Sequence, residues 1–253
     1  RDWSSDVCSS DLPSEFAKII MIICLARLLS NNKKGYRTWK SLLPVAGLMA
    51  LPTLLIFIQP DLGTSLVFGA ITFGMLYICG LNMSLVKKAF IAFVAIFPLI
   101  WFFVLHSYQK MRILVLFNPS VDPYGSGYHV IQSKISIGSG GCIGQGLFAG
   151  TQSQLNFLPE NHTDFIFSVI GEELGFVGAI FVLFLYFILL YRALMISRSS
   201  GDAFGSLLAC GIFSMWLFQI FINVGMTLGI MPVTGIPLPF MSYGGSALLM
   251  KDR

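Results

Sequence analysis

Charge is what this chain has least of. Of its 253 residues, 11% are charged against 55% hydrophobic, and the mean hydropathy is +0.78. Water-soluble domains carry roughly 25% charged side chains, so the polar surface needed to coat a molecule of this size in water is missing. That excludes a cytosolic enzyme, a secreted disulfide scaffold and a disordered regulator. Histidine is scarce too, at three, and the five cysteines form no CxxC pair. Cys8 lies in the first dozen residues, Cys24, Cys79 and Cys210 fall in apolar stretches, and Cys142 has no obvious mate. Neither a disulfide framework nor a zinc site is predicted. The net charge of +4 comes from short basic runs between apolar spans, a pattern that reports membrane topology and not nucleic-acid binding.

What the chain has instead is long apolar runs. A helix needs about 20 mostly apolar residues to cross the hydrocarbon core, and six stretches qualify or nearly so: 15–29, 42–58, 62–81, 89–105, 165–190 and 203–227. A seventh starts near Ser246 and is cut short. The expected fold is an all-α polytopic membrane protein with six complete transmembrane helices, a truncated seventh and one long loop, 106–164. Basic residues collect in every second connection: Arg27, Lys33, Lys34, Arg37 and Lys40, then Lys87 and Lys88, then Arg192 and Arg198. Those connections are placed in the cytoplasm, which makes the loop 106–164 extracytoplasmic. Residues 1–12 are Ser/Asp-rich, lack the apolar core of a signal peptide and read as a foreign tail, as do residues 251–253. A single domain over 13–250 is left.

The long loop is too apolar for a disordered linker. Within it, 129–137 is predicted as a short amphipathic helix on the membrane surface. The glycines at 138, 140, 141, 144, 146 and 150 predict tight turns, with some backbone amides available to an anion. They make no dinucleotide fingerprint, because no strand precedes them. The segment 229–246 is rich in proline and glycine yet apolar. Such backbone is tolerated at membrane depth only when buried in protein or lining a cavity, so a re-entrant loop is expected.

In apolar spans each remaining charge is informative, since an unpaired one costs about 2.5–3.5 kcal/mol by insertion scales. Glu15 and Lys18 are three residues apart, share a helix face and can pair. Ser14 and Glu15 also suit a helix N-terminus, while Lys18 as a cation facing a cavity would suit a phosphate. Asp61, in Gln59-Pro60-Asp61, stands where a helix cap belongs. Glu160, His162 and Asp164 form a dense titratable group where the long loop re-enters the apolar phase; capping by Thr163 or Asp164 would also explain the last of these. Glu172 lies about 12 Å along the helix from Asp164 and about 80° around it, with Glu173 pointing nearly opposite. One of the two glutamates should face a polar interior or a partner, and a structural hydrogen-bonding role is as fitting as a catalytic one.

At these motifs the chain resembles a known family. Pro13-Ser14-Glu15 with Lys18, Gln59-Pro60-Asp61-Leu62-Gly63-Thr64, Leu158-Pro159-Glu160 through His162-Thr163-Asp164-Phe165-Ile166-Phe167, Glu172-Glu173-Leu174-Gly175, and Gly235-Ile236-Pro237-Leu238-Pro239 with Ser242-Tyr243-Gly244-Gly245 resemble the SEDS proteins (shape, elongation, division and sporulation) of bacterial cell-wall synthesis. Gly127-Tyr128-His129, Gln132-Ser133-Lys134 and Gly150-Thr151-Gln152-Ser153-Gln154 are most similar to the elongation members of the RodA type, with division and sporulation members, FtsW and SpoVE, as alternatives. The family has ten transmembrane helices. This chain would then hold the fourth to ninth and part of the tenth, and is expected to be inactive alone.

The resemblance implies an inverting glycosyltransferase in the bacterial cytoplasmic membrane. It would polymerise lipid II into β-1,4 glycan on the outer face, release undecaprenyl pyrophosphate and work with a class B penicillin-binding protein in the elongation machinery. It places the essential aspartate at Asp164. Glu15, Lys18, Asp61, Lys134, Glu160, His162 and Glu172 are the candidate substrate-binding residues, with Arg112 a further cation. No cofactor is demanded, although a divalent cation, Mg or Mn, would serve a leaving pyrophosphate. The competing class is a lipid II flippase, which would need polar groups along the whole crossing. Here they crowd one side.

Overall fold

The computed structural model describes residues 4–31, 36, 38–58, 62–103, 107–123, 125–154 and 163–242. All of the regular structure described is helical. Each of the six apolar stretches coincides with a helix: α1 (Ser4–Ser30), α2 (Trp39–Ile58), α3 (Leu62–Ile78), α4 (Met83–Phe103), α8 (Ile166–Ser199) and α9 (Ala203–Thr227). Among the described residues, three helices have a length and apolarity that suffice to cross a membrane: α2 over Trp39–Ile56, α8 and α9. The chain is therefore an all-helical, polytopic membrane protein. The stretch 106–164 also contains helices, namely α5 (Ser107–Phe117), a 3-10 turn at Pro119–Val121, α6 (Ser126–Gly140) and the single turn α7 (Thr151–Gln154).

By Cα proximity the chain divides into two compact units. The first comprises Arg1–Pro98, Leu189–Phe218 and Gly244–Arg253. Small residues let its helices approach closely, as expected where lipid gives no hydrophobic drive for helix association. Gly74 of α3 faces Ser214 of α9 with no room for a Cβ. Ser214 Oγ donates back to the Cys210 carbonyl at 2.9 Å, and Cys210 Sγ donates to the Gly74 carbonyl at 3.5 Å. At the α8–α9 corner, Ser197 and Ser206 exchange bonds, each hydroxyl donating to the other's carbonyl, at 2.9 and 2.7 Å.

The second unit comprises Leu99–Ile188 and Gln219–Tyr243. A small apolar cluster of Val115, Val130, Phe165 and Val233 joins α5, α6, the head of α8 and the coil after α9. The predicted surface helix 129–137 is present but longer, and its packing departs from the expectation. Gly127, Val130, Ser133, Ser136 and Gly140 are the buried positions of α6, while Ile131 and Ile135 are exposed. A stripe of small and polar residues faces the protein because neighbouring backbone comes within contact of it. A Cβ at Gly140 would overlap the Gly171 carbonyl oxygen.

The element least visible in advance is a break in α8. Gly175 has φ 65°, ψ −163°, which interrupts the helix without proline. In an unbroken helix the amides of Phe176 and Val177 would bond the carbonyls of Glu172 and Glu173. Here Phe176 N donates to Gly141 O at 2.9 Å and Val177 N to Cys142 O at 3.2 Å. The two freed carbonyls accept from Gln145 N and Gly146 N, both at 3.0 Å. The glycine-rich turn 141–146 thus replaces the missing turn of helix, bond for bond. Its amides meet helix carbonyls where an anion had been expected. Gly144 (φ 89°) and Gly175 lie so close that a Cβ on either would strike the other strand's backbone.

Candidate functional site

Asp164 stands two residues before the first residue of α8, half-buried. The next residue, Phe165, is plugged into the apolar cluster and stacks on His129 of α6, with ring centroids 6.0 Å apart. The backbone on both sides of Asp164 is fastened by side chains from elsewhere in the unit. Ser242 Oγ donates to the Thr163 carbonyl. Asn223 Nδ2, from within α9, donates to the Asp164 carbonyl at 2.9 Å. The same nitrogen donates to the Ile236 carbonyl at 2.8 Å. Gly235, one residue earlier and at φ 74°, faces the Asp164 carboxylate, with room for a Cβ in ordinary contact 3.4 Å from Oδ2. The described part of 229–246 is coil, with Val233, Ile236 and Leu238 turned inward. Tyr186 OH donates to its Pro239 carbonyl at 2.5 Å.

Glu172 is fully buried. One carboxylate oxygen accepts from Ser136 Oγ at 2.8 Å and the other from the backbone N–H of Gln152, also at 2.8 Å. Of the two glutamates it is the inward one, as the helical geometry required, and it ties α8 to α6 and to the first turn of α7. A second polar contact lies one face away. Ser133 Oγ donates to the Thr227 carbonyl at 2.6 Å. Its hydrogen being used there, the 2.6 Å contact with Ser168 has Ser168 as donor.

Lys134 and Arg112 are brought to one place. The Lys134 side chain runs across Gly229, and Arg112 borders a small cleft shared with Gly229, Val130 and Met231. Glu15 and Lys18 belong to the first unit and form the predicted i,i+3 ion pair, with Lys18 buried. Asp61, Glu160 and His162 lie outside the described residues. Among the described residues no three His, Cys, Asp or Glu side chains converge. Sequence reasoning passed over Asn223. Its signal was available: Gln219 and Asn223 are polar residues four apart inside an apolar span, and both are buried.

The profile of the cell cycle protein family that covers FtsW, RodA and SpoVE matches residues 10–251. The chain belongs to this family. Within it, the chain is 46% identical over 238 residues to the peptidoglycan glycosyltransferase MrdB of Escherichia coli K12, a match that covers 94% of this chain and 64% of MrdB. It is 52% identical over 145 residues to the peptidoglycan glycosyltransferase RodA of Treponema pallidum, covering 57% of this chain and 34% of RodA. A chain in a solved peptidoglycan synthase complex, which coordinates polymerization and crosslinking, superposes with a TM-score of 0.72 at 37% identity, over 94% of this chain and 65% of that one. The chain thus spans somewhat under two thirds of the length of MrdB and of the synthase-complex chain. The identities support the RodA-type resemblance of its motifs.

Proposed function

We propose that the protein is an inverting peptidoglycan glycosyltransferase that polymerises lipid II during cell elongation. The observation that carries this reading is the fastening of Asp164 at the head of α8, in a chain 46% identical to a peptidoglycan glycosyltransferase. Polymerisation requires the 4-hydroxyl of an acceptor sugar to attack the anomeric carbon of the donor while undecaprenyl pyrophosphate leaves from the opposite face. A hydroxyl is a poor nucleophile at neutral pH. The Asp164 carboxylate takes its proton as the new bond forms, a contribution of about 10²–10⁴-fold. The chemistry is the single-displacement counterpart of inverting glycoside hydrolysis. Lys134 and Arg112, gathered at Gly229, are placed in the role of cations for the pyrophosphate. Lys18 with Glu15, Asp61, Glu160 and His162 complete the substrate contacts in this reading; Glu172, a candidate substrate contact by sequence, has both carboxylate oxygens taken by Ser136 and Gln152 and instead ties α8 to α6 and α7.

In this reading residues 13–250 act as one domain of the bacterial cytoplasmic membrane, with six crossings, a seventh begun near Ser246, and 106–164 outside. The synthase complex among the structural relatives supports a class B penicillin-binding protein as partner. The test is Asp164→Asn in the complete protein, assayed in detergent with labelled lipid II, where polymer is scored and transport is not. Asparagine keeps the size and the backbone bonds to Asn223 and Ser242, so the variant folds, inserts and binds its partner but forms no measurable glycan. Polymerisation at near wild-type rate would remove Asp164 from the base role.

A further inference from the structure

We infer that Asn223 is a positioning residue for the Asp164 carboxylate, an inference that rests on the glycosyltransferase reading above. Both neighbours of its amide nitrogen are main-chain carbonyls, those of Asp164 and Ile236. Only the NH2 group can face two acceptors, which fixes the orientation of the amide. Its Oδ1 is left buried without a hydrogen-bond partner among the described residues. A side chain selected for packing alone would not leave an acceptor in that state. What the arrangement achieves is a two-hydrogen clamp. One nitrogen, fully buried on α9, holds the backbone that carries the carboxylate and the backbone of the coil that lies against it. Gly235, next to Ile236, thus lies beside Asp164 Oδ2 with space for about a methyl group between them. Two further bonds, Ser242 to the Thr163 carbonyl and Tyr186 to the Pro239 carbonyl, act near the C-terminal end of the described coil. Asn223 reaches both the aspartate's own carbonyl and the residue after Gly235.

Asn223→Leu keeps the branched outline of four side-chain heavy atoms and removes both donors. In the complete protein with its synthase partner, the variant should remain folded at the assay temperature, its melting midpoint lowered by the two stranded carbonyls, and keep a KM for lipid II within about twofold, while kcat per folded protein falls about ten- to a hundredfold, the cost of a base displaced by about 1 Å. Hydrogen exchange should quicken at the amides of 163–168 and 235–240 and nowhere else. A kcat within twofold of wild type overturns the inference. So does a loss of rate matched by an equal loss of folded protein, or faster exchange spread through the chain, since either assigns Asn223 to general stability. Wild type and Asp164→Asn are run beside it. An active wild type, a silent Asp164→Asn and a normal Asn223→Leu sink this inference alone. A silent wild type or an active Asp164→Asn sinks the functional reading, and this inference with it.

Discussion

Glu172 and Asp164 are carboxylates eight positions apart on one stretch of chain, yet their surroundings give them different work. Glu172 has both oxygens occupied by donors of its own fold, and removing the carboxylate strands a buried hydroxyl and a buried amide N–H. Each such orphan costs about 1–3 kcal/mol. Glu172→Leu should therefore lower unfolding stability by about 2–4 kcal/mol, read as a fall in the melting midpoint of the purified protein. Glu172→Gln should stay within about 1 kcal/mol, because its amide oxygen still accepts from Gln152 and its NH2 can donate to Ser136. Equal losses in the two variants would mean that the charge, and not the bonding, is what the site needs. The burial of one glutamate was legible from helical angle alone. Asn223 was passed over because an uncharged amide raises no alarm in a hydropathy profile, although its spacing from Gln219 marked it and its cost without partners is of the same kind.

Elements were legible where apolarity is sustained. The six long stretches each gave a helix because in hydrocarbon a helix is the local way to satisfy backbone polar groups. The break at Gly175 was not legible, since its cause is remote: a turn thirty-odd residues earlier supplies partners for the four freed backbone groups. Nor was the inward face of α6, where close backbone contact and not apolarity decides which side is buried. Gly175→Ala and Gly144→Ala each place a Cβ inside another backbone at a positive φ, and each should cost more than about 2 kcal/mol, seen as a drop of several degrees in melting midpoint. Gly47→Ala in α2, with open space around its Cβ, should be neutral or raise stability by about 0.5–1 kcal/mol. A harmless Gly175→Ala would show that α8 runs straight through.

For the whole molecule, the proposed topology makes a test with native chemistry. Cys142 is an exposed free thiol on the glycine-rich turn, and Lys87 lies in the first turns of α4, at the end assigned to the cytoplasm. With the other four cysteines replaced, a membrane-impermeant maleimide added to spheroplasts should label Cys142 without lysis. In a chain where Cys142 is also replaced, Lys87→Cys should be labelled only after permeabilisation. The reverse pattern would invert the orientation and set Asp164 on the wrong face for a lipid-linked donor presented outside. The break in α8 also bears on how such a chain is made. An open helix turn delivered alone into lipid would present two bare amides and two bare carbonyls, each costing several kcal/mol. Synthesis runs from the N-terminus, so residues 141–146 leave the ribosome before residues 172–177. The patch is finished before the tear arrives, and α8 needs no helper to cover the gap while it enters the bilayer.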